Sequence, residues 1–255
     1  MTDQPPQRLG DDFWRGLRQL TAARIGLPRS GASLATAPLL DLKLAHSRAR
    51  DAVLEPLDTA RLAADLAGLS DPVLIVTSAA EQRLQYLMRP DLGRRLDVHA
   101  AAALKPHAGR WDIVFVVADG LSARAVQAHA HPILADAIKL LRSEGWQIAP
   151  LVIVRHGRVG IGDAVAAALG ATCVVVLIGE RPGLSAADSM GAYLTWHPHA
   201  QTTDADRNCI SNIRPEGIGY ADAARKIAHI LFAMHDRGYS GVRLKDDSDR
   251  LLIES

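Results

Sequence analysis

Ile113-Val114-Phe115-Val116-Val117-Ala118, running straight into Asp119-Gly120-Leu121-Ser122, is the stretch that decides the fold. All of its first six positions are apolar and most are β-branched. A strand with one wet face alternates apolar and polar residues, whereas a strand covered on both faces has no need to. Three further runs share this character: Pro72–Thr77 (PVLIVT), Ala149–Val154 (APLVIV) and Thr172–Ile178 (TCVVVLI). Helical spacing fills the intervals. Ala123–Leu141 is apolar on one side, with Pro132 as a point where the pattern could break. Asp163–Leu169 is Ala-rich, and Ala221–Arg237 aligns Ile227, Ile230, Leu231 and Met234. Strands alternating with helices predict βαβ units, and hence an α/β fold built on a doubly wound, mostly parallel, Rossmann-like sheet.

The first third of the chain is different. Met1–Gly10 is polar and reads as a frayed tail. Asp11 and Asp12 precede Phe13, Trp14, Leu17 and Leu20, and an aspartate there can satisfy the free amides of a first helical turn. The pattern stops at Gly26, Pro28 and Gly31, then resumes as two helices, Ala37–Leu54 before Pro56 and Thr59–Leu69. The expected organisation is therefore a tail and helical extension over 1–70 and an α/β domain over 71–255. The end, Gly241–Ser255, carries Lys245-Asp246-Asp247 and reads as solvated.

Composition narrows the function classes. With 48% hydrophobic residues the chain can bury a substantial core, and a net charge of +1 gives no overall attraction to nucleic acid or an anionic membrane. No run approaches the roughly 18 apolar residues of a membrane span, and the N-terminus lacks the apolar core of a secretory signal. Two cysteines, Cys173 and Cys209, do not make a disulfide framework.

The strand ends carry the functional information. Three of the runs flow into polar, Gly-bearing loops: Asp119–Ser122, Arg155–Gly160 and Gly179–Gly183. In open α/β sheets ligands lie beyond the carboxyl ends of the strands, and glycine lets backbone approach them closely. Several motifs fail on inspection. Counted from Gly160, the dinucleotide fingerprint G-x-G-x-x-G/A meets Val165 at its last position, which removes the main support for a nucleotide-binding dehydrogenase. Asp97-Val98-His99 begins like the cobalt-ligating D-x-H-x-x-G of some cobalamin proteins but reaches Ala102, so His99 reads as an exposed helical histidine. The pairs His129/His131 and His197/His199 lack local partners for a metal, and each abuts a proline; both read as surface histidines in turns.

Five segments resemble one known family, in its order. They are Tyr86–Leu96 (YLMRPDLGRRL), Ala118–Ser122 (ADGLS), Val154–Val159 (VRHGRV), Leu177–Leu184 (LIGERPGL) and Asp206–Ile213 (DRNCISNI). Together with a weaker match over Arg24–Val53, the resemblance spans about Arg24 to Arg237, and it is to the small subunit of ethanolamine ammonia-lyase. That family's enzymes convert ethanolamine to acetaldehyde and ammonia by a radical rearrangement that adenosylcobalamin initiates. The resemblance implies a larger β/α-barrel partner carrying most substrate contacts, six copies of each subunit, and no activity in this chain alone. It implies that the cofactor keeps its own benzimidazole as lower ligand, so no cobalt-ligating residue and no catalytic residue is expected here. Matched motif by motif, the cobalamin contacts fall on Val159, Glu180 and Cys209, with Cys209 in an irregular loop after Trp196. Many relatives carry a longer N-terminal extension associated with packing into a bacterial microcompartment. Only a short tail precedes the resemblance here, so cytoplasmic placement is expected. A non-enzymatic adaptor on the same fold is the remaining alternative.

Overall fold

The computed structural model describes residues 11–245; the Met1–Gly10 tail and the last ten residues of the expected solvated end lie outside it. Its centre is the strand quoted above, β4 below. The chain begins with helix α1 (Asp11–Gln19), a short hairpin of β1 (Arg29–Ser30) and β2 (Ser33–Leu34) around Gly31, and helices α2 (Thr36–Leu54) and α3 (Thr59–Leu66). Asp58 starts α3, its carboxylate accepting the Arg61 amide at 3.0 Å. Then come β3 (Leu74–Thr77), α4 (Arg83–Met88), α5 (Val98–Leu104), β4 (Trp111–Ala118), α6 (Ala123–Ser143), β5 (Val152–Arg155), α7 (Ile161–Leu169), β6 (Ala171–Gly179), β7 (Met190–Trp196), β8 (Arg207–Ile213) and α8 (Tyr220–Arg237).

One six-stranded sheet runs in the order β3-β5-β4-β6-β7-β8. The first four strands are parallel, Val116 standing opposite Val152 on one side and Val176 on the other. β7 and β8 continue antiparallel, so the sheet is mixed, and these two strands extend the parallel sheet expected from the sequence. The unbroken apolar runs are explained by coverage on both faces. Ile113, Phe115 and Val117 join the core under α3, α6 and α8, while Val114, Val116 and Ala118 join the core under α5 and α7. Each of these six side chains is fully shielded from solvent. Full burial of one of the larger of these side chains is worth about 1.5–3 kcal/mol, so β4 is firmly anchored.

Two local expectations need correction. Helix α6 continues through Pro132, so neither His129 nor His131 sits in a turn. His131 is exposed as expected, but His129 is buried, its ring nitrogens 2.9 Å from the Tyr220 hydroxyl and 3.0 Å from the Asp188 carbonyl. Both partners come from far along the chain, which is why spacing around His129 gave no sign of them. Cys209 lies in β8 opposite Tyr193, a regular sheet position and not an irregular loop. His197 and His199 are exposed, His197 with a positive φ of 45° in a turn, and His99 is an exposed helical residue. Among the described residues no helix is long and apolar enough to cross a membrane.

Candidate functional site

The chain leaves β4 toward β5 and leaves β6 toward β7, so the crevice between the carboxyl ends of β4 and β6 is the topological switch point, where α/β sheets hold ligands. The crevice exists because two glycines allow it. Gly120 has a φ of 53°, in the left-handed region, and a Cβ there would overlap Gly179 and Ile178. The two loops then close backbone to backbone, the Leu121 amide donating to the Gly179 carbonyl at 2.9 Å.

Beyond them lies a cleft of about 150 Å³. The loop after β4 contributes Gly120 and Leu121, the loop after β5 contributes Arg158 and Val159, and the end of β6 contributes Glu180. Tyr86 of α4 and Tyr193 of β7 complete the wall. Val159 and Glu180, two of the residues matched from the family, thus face one cleft. Cys209, the third, does not line it but pairs across the sheet with Tyr193, which does.

Glu180 is half-buried and held from one side. Its Oε2 accepts the Ser189 hydroxyl and, at 3.1 Å, the Asn212 amide, which a left-handed Asn212 backbone (φ 59°) presents. Oε1 has no hydrogen-bond partner among the described residues and stands 3.0 Å from where a Cβ at Gly191 would be. Glu180 neither caps a helix nor pairs with neighbouring Arg181. Burial, with a smaller push from Glu180, raises the Cys209 thiol above its ordinary range, while the Tyr193 hydroxyl opposes the shift. Cys209 is solvent-accessible, yet Tyr193 and the sheet remove part of the hydration a thiolate would need.

The opposite wall is a knot of cations around one buried ring. The Tyr86 ring has the Arg83 guanidinium 4.8 Å from its centroid and that of Arg158 4.2 Å away. Its hydroxyl donates to the Gly157 carbonyl at 3.3 Å, and burial raises its pKa well beyond the usual range. Arg83 donates to the Val53 carbonyl at 2.7 Å, the Gly120 carbonyl at 2.8 Å and buried Asp119 at 3.3 Å. Asp119 also accepts the Gly157 amide at 3.1 Å, and burial pushes its carboxyl upward against the opposing pull of Arg83. Arg158 is different. No carboxylate is within ion-pair reach of it among the described residues, and its Nε is buried without a partner.

A second groove of about 420 Å³ lies past Gly160, beside α7 and β8. It is larger, but its cations are already answered. Arg207 makes a bidentate pair with Asp163 at 2.7 Å and donates to Thr195 at 2.9 Å, Arg94 stands 3.7 Å from Asp204, and Arg95 3.5 Å from Asp91. The smaller cleft, with its unanswered donor and acceptor, is therefore the candidate site. Among the described residues no group of three or more His, Cys, Asp or Glu is arranged to hold a metal ion.

Reasoning from the sequence missed Tyr86, Arg158 and Tyr193. The first two lie inside the resembling segments, Tyr86 opening Tyr86–Leu96 and Arg158 beside Val159, but nothing local marks either as part of the cleft. Tyr193 gave no local signal.

Fold and cleft together define a class: an α/β protein that offers a small, polar-edged notch at the switch point of its sheet to part of a ligand. The sequence model of the family described as ethanolamine ammonia-lyase light chain (EutC) matches residues 11–245. The chain is similar to an ethanolamine ammonia-lyase small subunit of Ralstonia nicotianae, with 49% identity covering 99% of this chain and 95% of the relative. It is similar to those of Xanthomonas campestris pv. campestris (50%, covering 95% and 90%) and Pseudomonas fluorescens (46%, covering 99% and 93%). The chain belongs to the ethanolamine ammonia-lyase light-chain family.

Proposed function

We propose that this chain covers one edge of adenosylcobalamin at the interface with a large catalytic subunit, and that the two subunits together convert ethanolamine to acetaldehyde and ammonia. The observation that carries this reading is convergence. Val159 and Glu180, brought from two different loops, line one cleft, and Cys209 abuts the tyrosine that forms its wall. The part of the chain that does this is the α/β region, 71–255, with 1–70 as its extension.

The residues fit the group. A corrin is a broad disc fringed with amides. A cleft of about 150 Å³ is below the range of roughly 300–1,000 Å³ that encloses a drug-sized ligand, so it suits a side group of a corrin and leaves the disc to a partner. Glu180 Oε1 can accept an amide N–H. Val159 offers apolar cover, and Cys209 a packing contact, its raised pKa keeping it a neutral thiol. When bound, the cofactor supplies a carbon radical by cobalt–carbon homolysis. This chain's share is to bind, orient and exclude water from that chemistry. In this reading Val159, Glu180 and Cys209 would hold the cofactor, and no residue of this chain would act as a cobalt ligand, general acid or general base. Relatives named small subunit support a large-subunit partner, and six copies of each form the proposed assembly. The expected location is the cytoplasm.

The test compares aldehyde formation from ethanolamine with adenosylcobalamin by this chain, the large subunit, and their mixture. Activity in the mixture alone supports the reading; none in a mixture of folded proteins with intact cofactor overturns it. In the assembled enzyme Glu180→Ala and Val159→Asp should each weaken cofactor retention about tenfold, as loss of one hydrogen bond or entry of an unpaired charge into an apolar contact would.

A further inference from the structure

We propose that Arg158 and Glu180 form the two halves of a clamp for a single primary carboxamide, and that Arg158 is the specificity-determining donor of the site. The inference rests on the cobalamin reading above and deepens it by naming the chemical group the cleft reads.

Arg158 and Glu180 line the same small cleft, yet they do not pair. That is unusual for a cation and a carboxylate so placed. Each is restrained by other contacts. The Arg158 guanidinium is stacked 4.2 Å from the Tyr86 ring centroid, with Nη2 3.5 Å from the Tyr86 carbonyl, and its backbone amide donates to the Gly93 carbonyl at 2.8 Å. A Cβ on Gly93 would meet the Arg158 Cγ at 2.7 Å, so this glycine makes room for the side chain's path. Glu180 is drawn back through Oε2 by Ser189 and Asn212. What remains is a buried, unpartnered Nε on one wall and a free Oε1 on the other.

The group that satisfies both must donate and accept at once while carrying no charge. A carboxylate would be drawn to Arg158, and to Arg181 at the rim, but repelled by Glu180, and an ammonium would meet the reverse. A primary carboxamide directs its carbonyl oxygen to the guanidinium and its NH₂ to the carboxylate. Val159 beside Arg158 covers the methylene stem. Water could meet the same two groups, but the apolar wall of Leu121, Val159 and Ile178 favours a ligand with a carbon stem.

The test reads binding, not turnover. The complex of this chain with its large subunit is titrated with cobalamin, and with the monocarboxylic acids in which one peripheral amide at a time is a carboxylate. Affinity is followed by corrin absorbance and equilibrium dialysis. Wild type should bind cobalamin and disfavour one of the acids by about tenfold or more. Glu180→Gln should narrow that ratio, because the repelling charge is gone. Arg158→Met should weaken cobalamin about tenfold and widen the ratio, because the acid loses one of the two cations, Arg158 and Arg181, that line the cleft, and Arg158→Lys should fall between. A role for Arg158 confined to stacking on Tyr86 would weaken amide and acid alike, and an unchanged ratio would overturn the clamp. Unchanged cobalamin affinity in an Arg158→Met complex that still assembles would do the same. A wild-type complex that binds no cobalamin overturns the proposed function itself, an outcome distinct from a bound cofactor indifferent to Arg158.

Discussion

Two arginines in different parts of the sheet have opposite situations. Arg207, on β8, is 3% exposed and closed into a bidentate pair with Asp163 of α7, with Thr195 of β7 as a third partner. Arg158, just past β5, lies against a ring and a backbone carbonyl, with no carboxylate in ion-pair reach among the described residues. The first ties three elements together, its charge met by Asp163 and, from Nε at 3.7 Å, by Asp204. The second keeps its charge available next to a carboxylate held back by others. Within one charged motif family, then, the closed pair is a fastening and the open pair is a site. The larger groove, past Gly160, belongs to the fastening.

The largest effect should come from undoing the closed pair. Asp163→Ala leaves the Arg207 cation buried without its partner and should cost about 3–5 kcal/mol, read as a lower urea midpoint or Tm. A loss under about 1 kcal/mol would mean that the pair fastens nothing, and the comparison would collapse. Arg158→Met is the counterpart. No ion pair is broken among the described residues, so a cation–π contact and one long hydrogen bond to the Tyr86 carbonyl are at stake, together about 1–2 kcal/mol, and the unfolding midpoint should move far less than for Asp163→Ala. A drop as large as that of Asp163→Ala would make Arg158 a fastening too.

The smallest effect concerns Cys209. Its folded pKa lies above the ordinary thiol value, so at a given pH less of it is thiolate, and its alkylation should begin at higher pH than that of a free cysteine. Tyr193→Phe should move the onset higher still, since the hydroxyl favours the thiolate. The check is the pH profile of iodoacetamide labelling, with Cys173, fully buried and raised far beyond it, left unlabelled in the folded protein. Labelling of Cys209 as fast as free cysteine would remove Tyr193 and Glu180 from its surroundings.

The sequence shows these two parts unequally. β4, β5 and β6 were legible because burial on both faces writes an unbroken apolar run, and the edge strand β3 carries such a run although its Ile75 is exposed. β7 and β8 were not. In Met190–Trp196 glycine, tyrosine and threonine interrupt the run, and Arg207–Ile213 buries chiefly Arg207, Ile210 and Ile213 while the rest faces outward. A strand whose buried members include a paired arginine looks like a loop, and Cys209 was misplaced with it. Val159 and Glu180 were legible through strand ends and resemblance. Arg158 was adjacent to the correct residue, but an unpaired charge is defined by what fails to come near it, and that is settled only when Tyr86, 72 positions away, takes its place. The same holds for His129, whose partners lie 91 and 59 positions along the chain.

Arg83 carries one further consequence. Its guanidinium holds the Val53 carbonyl in the last turn of α2 and the Gly120 carbonyl at the floor of the cleft. The helical extension is thereby geared to the cleft through a single side chain. A displacement of the end of α2 reaches the Gly120–Gly179 seam across two hydrogen bonds, so a body pressing on the extension turns a key already seated in the lock.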